Sequence, residues 1–500
     1  MTASNLTTMR LRGRLWERFP LLTKRATTNA VPAAGHRGPA GHRRGFFRRC
    51  AGLALCAAVL GRAAAADEGL VLRVGAAKAD ITPGTDVLNW VTGKPYGAVL
   101  DPLFVHALLL DDGRTRAVIL RWDLVDVSES ACDEVRQVVG AALAMPEGHI
   151  LINASHTHSA PWAPVWQGGH RGQERDTWWA LRYMPAQNEH PPFRRWMQRI
   201  LDACVEAAQG AARAARPAVL KLGRVTMADY LHNRRPRAPA WGLGEPKPPA
   251  AIGPAHPDWD PEVLQGGASF GPMDRTLALL SVQDATGGGT IATVFHAACH
   301  SVSIYPFNPG ISADWPGAAA HALTAALGGE SLFLQGCCGD INPWRRGPAA
   351  VSEMAAGVVR KARQAAKFAV TLRPQPLRVE RTTVELPLLP PAKTRTGLDR
   401  VTAEIQAIVC GPLAFVTLPG EPMTELGQAI RERSPFPQTL VLGYSNGNGV
   451  HYVGLPGEKA RGGYEAGVAG AGTDECGALL VEAAVRLLRD VFGKSGYQTK

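Results

Sequence analysis

The chain lacks most of the features that would class it at a glance. It has no apolar run of the roughly 20 residues that a membrane-spanning helix needs; the stretch Cys50 to Gly61 is only about a dozen long. Internal repeats and heptads are absent, which excludes solenoids and coiled coils. There is also no cysteine framework. Of the nine cysteines, Cys50 and Cys56 lie near the start, and the other seven (Cys132, Cys204, Cys299, Cys337, Cys338, Cys410 and Cys476) are odd in number and irregularly spaced. Buried thiols are expected, with room for one bridge of unassigned pairing. Excess charge of one sign is missing too, once its origin is traced. The formal +11 resides in residues 1–66, which hold 12 Lys/Arg and one acidic residue, leaving 42 of each sign beyond them. The body is neutral, so charge gives no reason to expect a nucleic-acid partner or an acidic surface.

The basic leader contains Arg43-Arg44-Gly45-Phe46-Phe47, a twin-arginine pattern, then the apolar stretch and Ala63-Ala64-Ala65-Ala66 before Asp67. Charged, apolar and small-residue segments in that order read as an export signal over residues 1–66. A periplasmic or secreted protein is expected, with residues 67–500 forming a single domain. Its composition, 46% apolar and 19% charged, is that of a globular protein.

Strand and helix patterns alternate along the body. Strands are predicted at Val71–Ala77, Val105–Leu110, Ala117–Trp122, Ile150–Ile152, Ala218–Met227, Leu277–Asp284, Thr290–Ala297, Ser331–Gln335, Leu377–Leu388, Ala414–Leu418 and Thr439–Tyr444. Helices are predicted at Glu129–Met145, Phe193–Ala214, Trp315–Leu327, Val351–Phe368, up to about Arg433, and Asp474–Phe492. Hairpins turn at Asp111-Asp112-Gly113 and Gly287-Gly288-Gly289. The fold class is α/β: one large catalytic domain with mixed sheets flanked by helices. Residues 161–192 and 236–262, rich in Trp, Pro and Gly, read as elaborated loops of the kind that shape a site.

Chemistry gathers where strands end. Ile150-Leu151-Ile152 runs into Asn153-Ala154-Ser155-His156-Thr157-His158-Ser159, and two histidines one residue apart at a strand end can aim both rings at one metal ion. A polar loop with two hydrogen-bonded histidines is the plainer alternative. His300, Asp340, Glu421, Tyr452 and Tyr464 follow at later strand ends. Each also has an ordinary reading: a core histidine, a charge in the first turn of a helix, aromatic packing. His296, four residues before His300, is too far along an extended strand to share a ligand with it and reads as structural. Asp314 reads as a helix N-cap in preference to a carboxylate supporting a metal ligand.

Taken in order, these pieces resemble the neutral, non-lysosomal ceramidases. The matching segments are Val74-Gly75-Ala76-Ala77-Lys78-Ala79-Asp80-Ile81-Thr82, His156-Thr157-His158-Ser159-Ala160-Pro161, Asn233-Arg234-Arg235-Pro236, His300-Ser301-Val302-Ser303, Gly339-Asp340-Ile341-Asn342-Pro343, Pro419-Gly420-Glu421, His451-Tyr452 and Tyr464-Glu465-Ala466. The resemblance implies a Zn2+ amidase that cleaves ceramide or another N-acyl lipid by metal-activated water. It implies zinc ligands at His156, His300, Glu421 and Tyr452, with His158 as acid/base or substrate-oxygen partner and Arg234 and Tyr464 as donors to the developing oxyanion. The chain departs from the family at Asn342, where ceramidases carry a serine. It is also expected to lack their C-terminal immunoglobulin-like domain. Partners expected are a small-molecule or lipid amide and, through the pocket rim, a transient membrane surface. Three alternatives stay open: a zinc hydrolase of the same fold acting on a non-lipid substrate, a barrel-type amidohydrolase, and a non-catalytic periplasmic metal-binding protein.

Overall fold

The structure, a computed structural model, describes residues 71–166, 189–235, 237–239, 268–269, 271–373 and 376–495. The proposed leader and most of the two long loops lie outside the described residues. No helix among the described residues is long and apolar enough to cross a membrane.

Alternation of apolar side chains builds the strands. β1 (Arg73–Asp80) pairs antiparallel with β2 (Phe104–Asp111), and β2 with β3 (Arg116–Trp122), whose turn uses Gly113 at φ +82°. β1 runs on through Ala79 and Asp80, where the sequence suggested a turn. Helix α1 (Glu129–Leu143), capped by the Ser128 hydroxyl on Ala131 N, carries the chain over to β4 (Ile150–Ala154), parallel to β3. Helix α2 (Pro191–Ala214) opens on two prolines and packs Trp196, Ile200 and Ala211 over β1 and β2. Gly75 permits that closeness, since a Cβ there would stand 2.0 Å from Ala211 O.

β5 (Arg216–Thr226) touches β1 at one end and pairs along its length with β9 (Thr276–Asp284). β9 forms the expected hairpin with β10 (Thr290–Ala297). β11 (Glu330–Gln335) lies parallel to β10, after helix α3 (Asp314–Leu327). The large sheet therefore runs β11-β10-β9-β5-β1-β2-β3-β4, with β13 (Val370–Leu372) beside β5 and helix α4 (Pro348–Lys367) on its outer face. A second sheet, β14 (Leu377–Pro387), β15 (Arg400–Cys410), β16 (Leu413–Thr417) and β18 (Gln438–Leu442), is antiparallel except for β16 and β18. Three small ribbons complete the strands: β6 (Leu231–Asn233) with β12 (Ile341–Pro343), β7 (Arg237–Pro239) with β8 (Ala268–Ser269), and β17 (Glu421–Pro422) with β19 (Tyr452–Val453). Helices α5 (Pro390–Thr396), α6 (Thr424–Arg433) and α7 (Cys476–Ser495) belong to the C-terminal half. β15 and α5 have no counterpart in the sequence expectations, and β7 falls inside a segment read as loop.

One face of both sheets points into a shared apolar layer that includes Val74, Leu108, Ile119, Val294, Phe415 and Leu440. Helices cover the outer faces. The mixed sheets flanked by helices match the expected class, and they exclude a barrel of alternating parallel strands and helices. Asn153 joins the ends of three strands. Its Oδ1 accepts from Gln335 N (2.9 Å) at the end of β11, and its Nδ2 donates to Gly443 O (2.8 Å) just beyond β18. All seven cysteines of the described body are free and buried.

Candidate metal centre

The strand ends gathered by Asn153 carry the site. His156 lies two residues past β4 at φ +62°, its backbone N–H on Leu124 O (3.0 Å). Its Nδ1 is 2.6 Å from Val125 O; a carbonyl only accepts, so the ring proton sits on Nδ1 and Nε2 presents a lone pair. His300, three residues past β10, repeats the arrangement, with Nδ1 2.7 Å from Cys338 O. Ser301 Oγ donates to Ser155 O (2.6 Å) and His158 N to Ser301 O (3.2 Å), stitching the two histidine loops together. His158 brings its Nε2 to 3.1 Å from that of His156. His156, His158 and His300 form a group able to hold a metal ion.

Glu421 enters from the opposite side. Its Oε2 stands 3.2 Å from His156 Nε2 and 3.3 Å from His300 Nε2. The Tyr444 hydroxyl donates to the same oxygen (3.3 Å). β17 and β19 place Glu421 directly opposite Tyr452, whose hydroxyl oxygen is 3.5 Å from His300 Nε2. Arg234, just beyond β6, donates from Nη2 to Tyr452 (2.9 Å) and Gly339 O (2.8 Å), and its Nε faces Glu465 Oε1 at 2.6 Å. Asn342 Oδ1 lies 3.4 Å from Arg234 Nη1.

Electrostatics keep the donors ready. Burial and the nearby Arg234 charge push His300 down to about 3. Burial, with His156 and His300 adding to it, holds His158 well below the ordinary imidazole range. Burial alone would raise Glu421, but His156 and His451 outweigh it and hold the carboxyl well below the usual range. Burial and the Glu421 charge raise the Tyr452 phenol well above its ordinary value. Neutral imidazole and ionised carboxylate are the forms that bind a cation.

The spacing fits one as well. Tetrahedral donors at 2.0–2.1 Å from a zinc ion are roughly 3.3–3.4 Å apart, close to the contacts between His156, His300 and Glu421. Left to themselves, these lone pairs would repel one another. Backbone strain is concentrated here too. Of the six non-glycine residues at positive φ among the described residues, His156, Asp314, Tyr444, Asn446 and His451 lie in or beside the site, each at a cost of about 1–3 kcal/mol.

His156, His158, His300, Glu421, Tyr452 and Arg234, all singled out in the sequence, thus meet in one place. Tyr464 is 53% exposed and makes an edge-on ring contact with Tyr452, centroids 5.7 Å apart. His296 stays apart, with Nδ1 3.0 Å from Leu334 O. Asp314 is the first residue of α3 and not its N-cap, a position that Ala313 holds without a side-chain cap; its carboxylate accepts from Trp315 N (2.6 Å), Ser303 N (3.0 Å) and Ile304 N (2.9 Å), fixing the loop after His300. Asp340, pushed up to about 6 by burial, accepts from Thr424 N and Asn233 Nδ2 and braces α6 against β6. His451 and Tyr444 complete the surroundings of Glu421 without having been marked in the sequence as site residues.

No family profile and no curated protein matches the sequence. Solved structures do. Neutral ceramidase from Pseudomonas aeruginosa superimposes with a TM-score of 0.65 at 17% identity, over 87% of this chain and 76% of that one. A ceramidase complexed with C2 gives 0.63 at 16% identity, over 86% and 77%. The chain has a neutral ceramidase-like fold. At this identity the likeness concerns the fold.

Proposed function

We propose that the protein is an exported zinc-dependent hydrolase that cleaves the amide of an N-acyl lipid, with ceramide the leading substrate. The observation that carries the reading is the approach of Glu421 Oε2 to 3.2 Å from His156 Nε2 and 3.3 Å from His300 Nε2 on a ceramidase-like fold. In this reading His156, His300, Glu421 and Tyr452 hold the zinc. When bound, it supplies Lewis-acid activation of water and of the amide carbonyl. Arg234 keeps its charge, burial being outweighed by Tyr452 and Glu465, and with Tyr464 it donates to the oxygen that gains negative charge. His158, neutral and lying against His156, accepts and returns a proton at Nε2.

The surroundings favour an apolar acyl group. Trp90 packs edge-on against His158 and Trp162 and stacks on Tyr305, forming an aromatic wall beside the histidines. Val91, Val99, Leu100 and Phe307 are exposed on the loops that carry Trp90 and Tyr305, and Tyr464 and Val468 are exposed on the Tyr452 side. Apolar side chains around a site suit transient contact with a lipid surface. Asn342 favours a second reading, a non-lipid N-acyl substrate, because its amide stands against Arg234 where ceramidases carry a serine. Parallel assays of micellar N-acyl sphingosines and soluble N-acyl amino acids separate the two. Preferential cleavage of the micellar lipids is expected; cleavage of the soluble amides alone would replace the lipid reading with the second one.

A further inference from the structure

His451 contacts Glu421 at two points. Its backbone carbonyl accepts from Glu421 N (2.9 Å), and its ring Nε2 lies 2.8 Å from Glu421 Oε1. The second contact is a close polar approach of the ring to the carboxylate. One residue can offer both groups to the same neighbour because its backbone is left-handed, at φ +63°. The approach also depends on Gly420, at φ +67°, where a Cβ would come within 2.5 Å of both His451 O and Asn448 O. On its other side the ring's Nδ1 is 3.3 Å from Ala469 O, at the end of the turn that begins with Tyr464. His451 is buried.

The two carboxylate oxygens consequently have different tasks. Oε1 is taken by His451, while Oε2 faces His156 and His300 and receives the Tyr444 hydroxyl. We propose that His451 is a positioning residue: it holds Glu421 so that a single oxygen, Oε2, is presented to the metal, and it links that ligand to the turn carrying Tyr464. The inference rests on the zinc reading above. Groups that orient metal ligands from behind typically contribute about 10- to 100-fold in metal affinity.

The test is zinc affinity of the full chain, measured by competition with a chromophoric chelator, with thermal melting as a check on folding. His451→Ala is expected to weaken zinc by about 10- to 100-fold. His451→Gln carries the same strain at this backbone position and keeps an amide N–H near the place of Nε2, so it should recover most of the affinity. Equal affinities in wild type and His451→Ala, with Glu421→Gln clearly weakened, would overturn the positioning role and leave the metal centre standing. Equal losses in the Ala and Gln variants would also overturn it, since the backbone and not the ring would then be responsible. A wild type that binds no zinc would instead defeat the reading on which this inference rests.

Discussion

Arg234 brings a full positive charge into a part-buried setting, donates to the Tyr452 hydroxyl and Gly339 O, and forms an ion pair with Glu465. A lysine would keep the charge but lose the planar fork that serves these partners together. Arg234→Lys should therefore lower kcat by about 100-fold, the scale of one lost oxyanion donor, with KM and zinc content changed much less. Steady-state kinetics with metal analysis check this. His296 makes a prediction away from the chemistry. Burial pushes its folded pKa down to about 4 from 6.5, so between those values the unfolded chain binds the proton first. Its contribution is present in full above pH 6.5 and is lost as pH falls towards 4, on the order of 3 kcal/mol. Urea midpoints across that window should fall steeply in the wild type and less in His296→Gln. At this scale the sequence is informative where residue type and place coincide: His156 and His158 follow an unbroken apolar strand, and Glu421 follows a Pro-Gly turn. His451 and Tyr444 are harder to see. They act through Glu421 from parts of the chain with no spacing rule to that residue, and an isolated buried histidine or tyrosine more often packs than functions.

Short ribbons and loops, not long strands, set the ligand geometry. The segment 446–451 has to lie against Gly420, and it is held there from behind: Glu129 Oε1 accepts from Asn448 N and Gly449 N at 2.9 and 3.0 Å, and Asp126 accepts from Asn448 Nδ2 at 2.7 Å. Gly420→Ala would add a methyl at 2.5 Å from two carbonyl oxygens on a left-handed backbone. It should cost about 2–4 kcal/mol in chemical denaturation and weaken zinc binding in the same variant. The long strands and helices are legible because period 2 and period 3.6 are strong local signals. β15 should have been legible as well, since Val401, Ala403, Ile405, Ala407 and Val409 alternate along it. The two- and three-residue ribbons β6, β12, β17 and β19 are too short for any periodicity, and only long-range pairing defines them. These ribbons carry or flank Arg234, Asn342, Glu421 and Tyr452.

Across the whole molecule, two sheets share an apolar layer and helices cover their outer faces, while the ends of β4, β11 and β18 converge on one polar cluster. The class of fold follows from composition and alternation. The curl that brings those strand ends together does not, because Asn153 and Gln335 meet across 182 residues of sequence. The apolar loop tips around the mouth likewise become a pattern only once the chain is folded. On the proposed reading, this cluster is a working zinc site for N-acyl lipid hydrolysis. The most direct measurement is fatty-acid release from a short-chain ceramide by the zinc-loaded protein, by the same protein after chelation, and after zinc is restored. The account predicts release that disappears with the chelator and returns with zinc. A folded, zinc-replete protein that releases no fatty acid, or one whose release is indifferent to chelation, would contradict it.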